Sequence, residues 1–285
     1  MARHEPESSL IPQADPTTIA LPQPWADFPA QNLRERLASA GRSILMLDYD
    51  GTLAPFVLDR MQATFYPGIA ERLALLAREP RVRLAFVSGR GAKELAGLLP
   101  PGLNAEIWGA HGRERLSADG VLHTEAVTAA QENSLRWLVR SVEERGFGAE
   151  IETKSGSLAF HTRGLDAANG QKLIGLVHML FTQLHHDAGL DLLPFDHGVE
   201  VRAQGCSKAD AVARILASEP EQAAAAYLGD DHTDEDAFRA LQGRGLCVLV
   251  RAEPRASLAD LWLRPPDELL AFLDVWQNAL AEMRA

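Results

Sequence analysis

Along most of the chain, short apolar runs that end in a polar residue alternate with stretches of helical periodicity. Ser43-Ile-Leu-Met-Leu-Asp48 is the first such run, and Arg83–Ser88, Ala105–Trp108, Ala225–Gly229 and Gly245–Val250 repeat its shape. A run apolar at every position suits a strand buried on both faces of a parallel sheet. Helical spacing covers 29–40, 67–79, 91–99, 207–217 and 233–241. Strand–helix alternation of this kind predicts an α/β fold with a doubly wound parallel sheet. Ligands of such sheets bind beyond the carboxyl ends of the strands, so the polar residues there carry the candidate chemistry. From 115 to 199 the rhythm changes. Longer helical stretches at 125–145 and 166–187 flank two alternating segments, Gly148–Lys154 and Ser157–His161. Alternation predicts an antiparallel sheet with one exposed face, hence an inserted α+β cap. The expected organisation is a flexible, proline-rich tail at 1–27, a catalytic core formed by 28–114 and 200–285, and the cap at 115–199.

The 285 residues are 46% hydrophobic and 24% charged, which excludes a disordered, collagenous or disulfide-stapled chain. A formal charge of −11 argues against nucleic acid and anionic membrane as partners. No apolar run approaches the roughly 18 residues of a membrane span, and residues 1–30 carry no apolar signal core. Two cysteines, Cys206 and Cys247, suit a reducing compartment, so a cytoplasmic location is expected. Of 28 basic residues only Lys93, Lys154, Lys172 and Lys208 are lysine. A lysine retained in so arginine-rich a chain points to sites that need a compact ammonium.

Four strand ends carry the chemistry. The first reads Asp48-Tyr-Asp50-Gly-Thr52. Residues i and i+2 of an extended segment point the same way, so Asp48 and Asp50 face one spot, and Gly51 and Thr52 turn the chain with N–H groups able to hold an anion. Two close carboxylates call for a cation or a proton, and a hard ion such as Mg²⁺ fits oxygen donors. The second end, Ser88-Gly89-Arg90, leads into a helix and suits a phosphate group or a plain helix cap. Lys208 opens the helix after Gly205, on the unfavourable side of the helix dipole, which suggests a specific anionic partner. The fourth end, Gly229-Asp230-Asp231-His-Thr-Asp234-Glu-Asp236, suggests a metal site, with Thr233 and Asp236 spaced as a capping box. His185-His186-Asp187 reads as a polar helix end rather than a metal site, and Trp137 as core of a cap helix.

The order of these four motifs resembles the haloacid-dehalogenase-type phosphatases over about residues 42–255. The resemblance implies that Asp48 is the nucleophile and forms an aspartyl-phosphate, being already ionised at pH 7. It implies that Asp50 protonates the leaving group and then activates water. Mg²⁺ would be held by Asp48, Asp50 through its carbonyl, and Asp230, with Asp231 and Asp234 behind them. Gly51, Thr52, Ser88, Gly89, Arg90 and Lys208 would hold the phosphoryl group, Ser88 and Lys208 as part of the catalytic set.

Gly-Asp-Asp-x-Thr-Asp-Glu at 229–235 resembles, more narrowly, the trehalose-6-phosphate phosphatases. So do Gly109-Ala-His111-Gly112, Glu152-Thr-Lys154, His161-Thr-Arg163 and Val199-Glu200-Val-Arg202, although Gly109 stands where some relatives carry Asn and Ala209 where they usually carry Gly. The resemblance implies a Mg²⁺-dependent hydrolysis of trehalose 6-phosphate to trehalose and phosphate. The sugar would be gripped by His111, Glu152, Lys154, Arg163 and Glu200. A functional link to a trehalose-6-phosphate synthase is implied as well. Glu152 and Lys154 share a strand face and could instead form only a surface ion pair. Other sugar-phosphate phosphatases (acting on glucosyl- or mannosyl-3-phosphoglycerate, or sucrose 6-phosphate), a phosphomutase and a silent sugar-phosphate sensor are the alternatives.

Overall fold

In the computed structural model, residues 19–282 are described, apart from 58, 104, 185–187 and 196. Two sheets organise them. The larger has nine strands in the order β1-β13-β12-β11-β2-β3-β4-β5-β6. These are β1 (Gln23–Pro24), β2 (Ser43–Leu47), β3 (Val82–Val87), β4 (Glu106–Gly109), β5 (Glu114–Leu116), β6 (Leu122–Thr124), β11 (Ala224–Gly229), β12 (Gly245–Val250) and β13 (Leu261–Leu263). Every pairing from β1 to β4 across this order is parallel, and β5 and β6 add an antiparallel edge. Helices α1 (Ala30–Ser39), α2 (Ile69–Ala77), α3 (Ala92–Leu98), α6 (Lys208–Ala217), α7 (Asp234–Leu241) and α8 (Asp267–Glu282) connect or follow these strands.

The reason for uniformly apolar strands is visible in where alternate residues go. Leu45 and Leu47 enter one core cluster, with Leu84, Phe86, Leu228 and Val248, beneath the apolar faces of α1, α2 and α8. Ile44 and Met46 enter the other, with Ala85, Val87, Tyr227 and Cys247, covered by α6 and α7. A strand with a period of two and both faces covered has no position left for a polar residue until it ends. That is why the polar residues collect at the strand ends.

The smaller sheet is antiparallel, in the order β7 (Ile151–Lys154), β8 (Ser157–His161), β10 (Gly198–Ala203), β9 (Leu190–Phe195). Helices α4 (Ala129–Glu143) and α5 (Ala167–Gln183) pack on one face of it and enclose a third core around Leu138, Phe160, Leu173, Val177 and Val201. Thr128 starts α4 with a capping box to Gln131.

Several expectations are corrected. The larger sheet takes in residues 114–124, so the anticipated boundary at 115 cuts through β5; the antiparallel edge carries too few apolar residues to announce itself. Glu200–Ala203, assigned to the core, lies in the central strand pair of the smaller sheet. The tail is not loose throughout, because β1 pairs with β13 and Trp25 packs on Phe28 and Phe272; residues 1–18 lie outside the described residues, as does His185–Asp187. Trp137 is 37% exposed rather than core. Thr233 makes no side-chain cap on α7, and Asp236 faces Arg239 at 3.1 Å instead.

The two connections between the sheets meet at one side chain. Arg113, buried, donates to the carbonyls of Ala203 and Gln204 where the chain returns from the smaller sheet and of Glu125 and Ala126 where it leaves the larger one. Gly156 leaves room for it: a Cβ there would stand 2.4 Å from Arg113 Nε.

Candidate active site

A cavity of about 300 Å³ opens beyond the carboxyl ends of β2, β3 and β11, with the smaller sheet as its other wall. Thirteen of the sixteen expected site residues line it; Gly51, Thr52 and Asp234 stand behind the lining.

Asp48 follows β2 directly and is buried. Lys208, the first residue of α6, brings its ammonium 3.0 Å from Asp48 and 2.6 Å from Asp234. Ser207 caps that helix by accepting from Asp210 N, which fixes where Lys208 starts. Burial weakens the Lys208 charge, but Asp234 and Asp48 more than offset it and raise its pKa. Burial pushes Asp48 up to about 7 against the pull of Lys208, with Asp234 and Asp50 adding to the rise. The expectation of an ordinary, fully ionised Asp48 misses this burial.

Asp234 is the hub of the turn after β11. One oxygen accepts from Lys208 and from the Tyr227 hydroxyl, the other from the backbone N–H of Asp230 and Asp231. Gly229 makes this possible, since a Cβ there would lie 2.3 Å from the Asp234 carboxyl carbon. Asp230 accepts from Thr52 Oγ1 at 3.2 Å. Gly51 has φ +81°, and a Cβ on it would overlap Asp230 Oδ2 at 2.1 Å, so glycine is required twice over. The Gly51 N–H is spent on Ala54 O at 2.8 Å and is not available to an anion, contrary to the expectation for this turn.

Carboxylate oxygens of Asp48, Asp230 and Asp234 lie within 4.8 Å of one another. Burial, then Asp48, Asp234 and Asp231, push Asp230 well above the ordinary carboxylate range. A buried group of oxygens with more negative charge than Lys208 neutralises fits a hard cation. Asp234 already spends both oxygens on protein donors, so Asp48 and Asp230 are the carboxylates with capacity left for one.

Ser88 is buried, and its hydroxyl accepts from Arg90 N at 3.1 Å, which leaves the proton free to donate. Arg90, expected at the phosphate, turns elsewhere. Its Nε and Nη2 donate to the two oxygens of Asp50 at 2.6 and 2.7 Å, and Nη1 donates to Glu94 at 2.7 Å. Asp48 and Asp50 therefore share a cavity but not a partner. His111 sits in the left-handed region (φ 55°) with its ring against Gly89. A side chain at 109 has no room, because a Cβ would stand 2.3 Å from Ala92 N and 2.7 Å from Arg90 O.

On the opposite wall Glu200 lies 2.9 Å from His111 Nε2, accepts from Ser157 at 2.7 Å and lies 3.7 Å from Lys154. Burial opposes the Glu200 charge, but His111, Lys154 and Ser157 outweigh it and hold the carboxyl well below its ordinary value. Glu152 faces Lys154 at 3.6 Å, His161 at 2.8 Å and Arg60. These are partly or fully buried groups facing a cavity, unlike an exposed strand ion pair. Arg163 donates to Val57 O and stacks over Phe56. Phe56, Val57, Arg60, His161, Phe195 and His197 also line the cavity without being anticipated. His161 belonged to a noted segment; the others sit in loops or at strand ends where no periodicity or spacing marks them.

The fold matches the C-terminal domain of Candida albicans trehalose-6-phosphate phosphatase with a TM-score of 0.74 at 20% identity, over 91% of this chain and 99% of that one, and is that of the haloacid-dehalogenase-type phosphatases. A family model described as trehalose-phosphatase matches residues 46–261, and the chain belongs to that family. A trehalose-phosphatase of Schizosaccharomyces pombe is 27% identical over 83% of this chain, which spans 31% of that relative's length. A probable trehalose-phosphate phosphatase of Sinorhizobium fredii is 33% identical over 70% of this chain and 74% of its own. Among the described residues no helix is long and apolar enough to cross a membrane.

Proposed function

We propose that this protein hydrolyses trehalose 6-phosphate to trehalose and phosphate, with Asp48 as nucleophile and the smaller sheet with α4 and α5 as a cap over the sugar. The observation that carries the reading is one cavity with two chemically different walls. Asp48, Ser88 and Lys208 stand on one, and Glu152, Lys154 and Glu200 on the other. The first suits a phosphoryl group, the second a polyhydroxylated sugar, whose vicinal hydroxyls donate to carboxylates while its ring oxygens accept from Lys154.

In the first step an Asp48 oxygen attacks phosphorus and the bond to the sugar oxygen breaks. Asp50 supplies the proton to that oxygen. In the second step Asp50 takes a proton from water, the water oxygen attacks phosphorus, and Asp48 is released with inorganic phosphate. Lys208 and the Ser88 hydroxyl hold the phosphoryl oxygens, whose charge spreads over three atoms in transfer. Asp48 and Asp230, with the main-chain carbonyl of Asp50, would hold a divalent cation, Mg²⁺ by the hardness of the donors, with Asp234 and Asp231 orienting them. When bound, the cation lowers the repulsion between the anionic nucleophile and the anionic substrate and draws Asp48 into its ionised form. A trehalose-6-phosphate synthase is the implied supplier of substrate, and a reducing, cytoplasmic setting suits the two free thiols.

The test is phosphate release from a panel holding trehalose 6-phosphate, sucrose 6-phosphate, glucosyl-3-phosphoglycerate and glucose 6-phosphate, with Mg²⁺ and with EDTA. The reading expects preference for trehalose 6-phosphate and loss with EDTA. Preference for another member of the panel would overturn the substrate, and no release from any would overturn the reaction.

A further inference from the structure

A line of alternating charges runs from the cap to Asp50. Glu152 on β7 meets Arg60 Nη1, and Arg60 Nη2 meets Glu94 Oε2. The second oxygen of Glu94 takes Arg90 Nη1 at 2.7 Å, and Arg90 then grips Asp50 with two parallel bonds. Arg90 Nη2 also donates to the main-chain carbonyl of Arg60 at 2.8 Å. Arg60 thus holds Arg90 twice, through its own carbonyl and through Glu94. It sits in a single helical turn, Arg60–Gln62, started by Asp59, which accepts from Met61 N.

We infer that Arg60 is a positioning residue that couples the sugar site of the cap to Asp50, so that full turnover is confined to substrates that occupy Glu152. The inference rests on the proposed reaction and deepens it. A guanidinium is a rigid planar fork, and two bonds to Asp50 fix the plane and the height of that carboxylate. Arg90 is 4% exposed and cannot rotate alone, since Glu94 and the Arg60 carbonyl hold two further N–H groups of the fork. With one lone pair on each Asp50 oxygen taken by Arg90, that carboxyl meets a leaving oxygen only along the directions the fork leaves free, so its reach is set by where Arg60 and Glu94 hold the fork. A sugar whose hydroxyls donate to Glu152 draws that carboxylate away from Arg60. Arg60 then has Glu94 as its one carboxylate partner, and the shift passes through Glu94 to Arg90. A small phosphate ester that leaves Glu152 untouched makes no such demand and reacts with the line in its resting arrangement.

The experiment measures kcat and KM of the wild type, Arg60→Ala, Glu152→Gln and the double variant on trehalose 6-phosphate and on p-nitrophenyl phosphate. Thermal melting checks that each is folded, and Arg60→Lys, which keeps a cation beside Glu94 and Glu152 but not the fork, gives the same comparison if Arg60→Ala does not fold. The expected result is a loss of about ten-fold in kcat for Arg60→Ala on the disaccharide, about five-fold beyond its loss on the small ester. In the double variant the losses do not multiply, because Arg60 acts through its contact with Glu152. Equal losses on both substrates, a change in KM alone, or fully multiplicative losses would overturn the coupling. A wild type that ignores trehalose 6-phosphate but turns over another sugar phosphate would overturn the substrate instead, and the same comparison on that substrate then decides the coupling.

Discussion

Replacing Asp48 by Asn should stop turnover and, in the absence of metal, make the protein less sensitive to alkali. Asp48 moves from about 4 in an unfolded chain to about 7 in the folded one, through burial first and through Asp234 and Asp50 beside it. The folded state therefore binds the proton more tightly than the unfolded state. Between these values the unfolded chain carries fewer protons at this site, so stability falls as pH rises. Integrated from pH 5 to pH 8, a shift of this size removes about 2–3 kcal/mol. Asn cannot ionise, so Asp48→Asn escapes that loss and relieves Asp230, whose own raised pKa owes its largest charge contribution to Asp48. The assay is urea unfolding of both proteins at pH 5 and pH 8 in EDTA, followed by two probes to confirm a single transition. The wild type should lose about 2–3 kcal/mol more than the variant between the two pH values. Parallel losses in both proteins would refute the claim that Asp48 is a buried carboxyl that holds its proton to about pH 7 when no cation is bound.

The same site predicts that binding of Mg²⁺ releases protons and tightens as pH rises to about 7, because Asp48 must ionise to serve as a ligand; calorimetry in buffers of different ionisation heat would show a buffer-dependent enthalpy, and a buffer-independent one would contradict it. Lys208→Met leaves Asp48 and Asp234 buried without their cation and should cost about 3–5 kcal/mol of stability in EDTA, read by denaturant unfolding; a loss below about 1 kcal/mol would show that the ammonium is not needed there. Lys154→Ala should lower kcat/KM more for trehalose 6-phosphate than for p-nitrophenyl phosphate, and equal losses would remove Lys154 from the sugar wall. Gly109→Ala forces a Cβ against Ala92 N and should destabilise by about 1–3 kcal/mol in thermal melting; an unshifted transition would mean that the backbone there yields freely.

The parallel strands were legible because each is buried on two faces, and such strands are apolar without interruption. Leu45 and Met46 serve opposite cores, yet both must be large and apolar. The antiparallel edge β5–β6 was not, since Arg115 and His123 are exposed and Glu114 accepts from the Ala92 N–H, which leaves no apolar pattern. Strand ends open on the cavity, so Asp48, Ser88 and Asp230 stood out by where apolar runs stop, and Lys208 by its rarity and its place at a helix start, while the roles proposed for them came from the family resemblance. Arg90 was not legible in this way. Its position predicts that it lies near the phosphate, but a side chain this long chooses among partners; Glu94 is local, four residues on, whereas Asp50 and the Arg60 carbonyl come from other segments. Phe56 lies in the loop after β2 and Arg60 in a single helical turn of three residues, too short for any periodicity to mark.

The most direct test of the account is to mix the protein with trehalose 6-phosphate and Mg²⁺, quench in acid within a turnover, and weigh the peptide that carries Asp48. The account predicts one phosphoryl group on that peptide, absent from Asp48→Asn and absent with EDTA, with trehalose released in step. Trehalose release without label on Asp48, or label on a different residue, would contradict it.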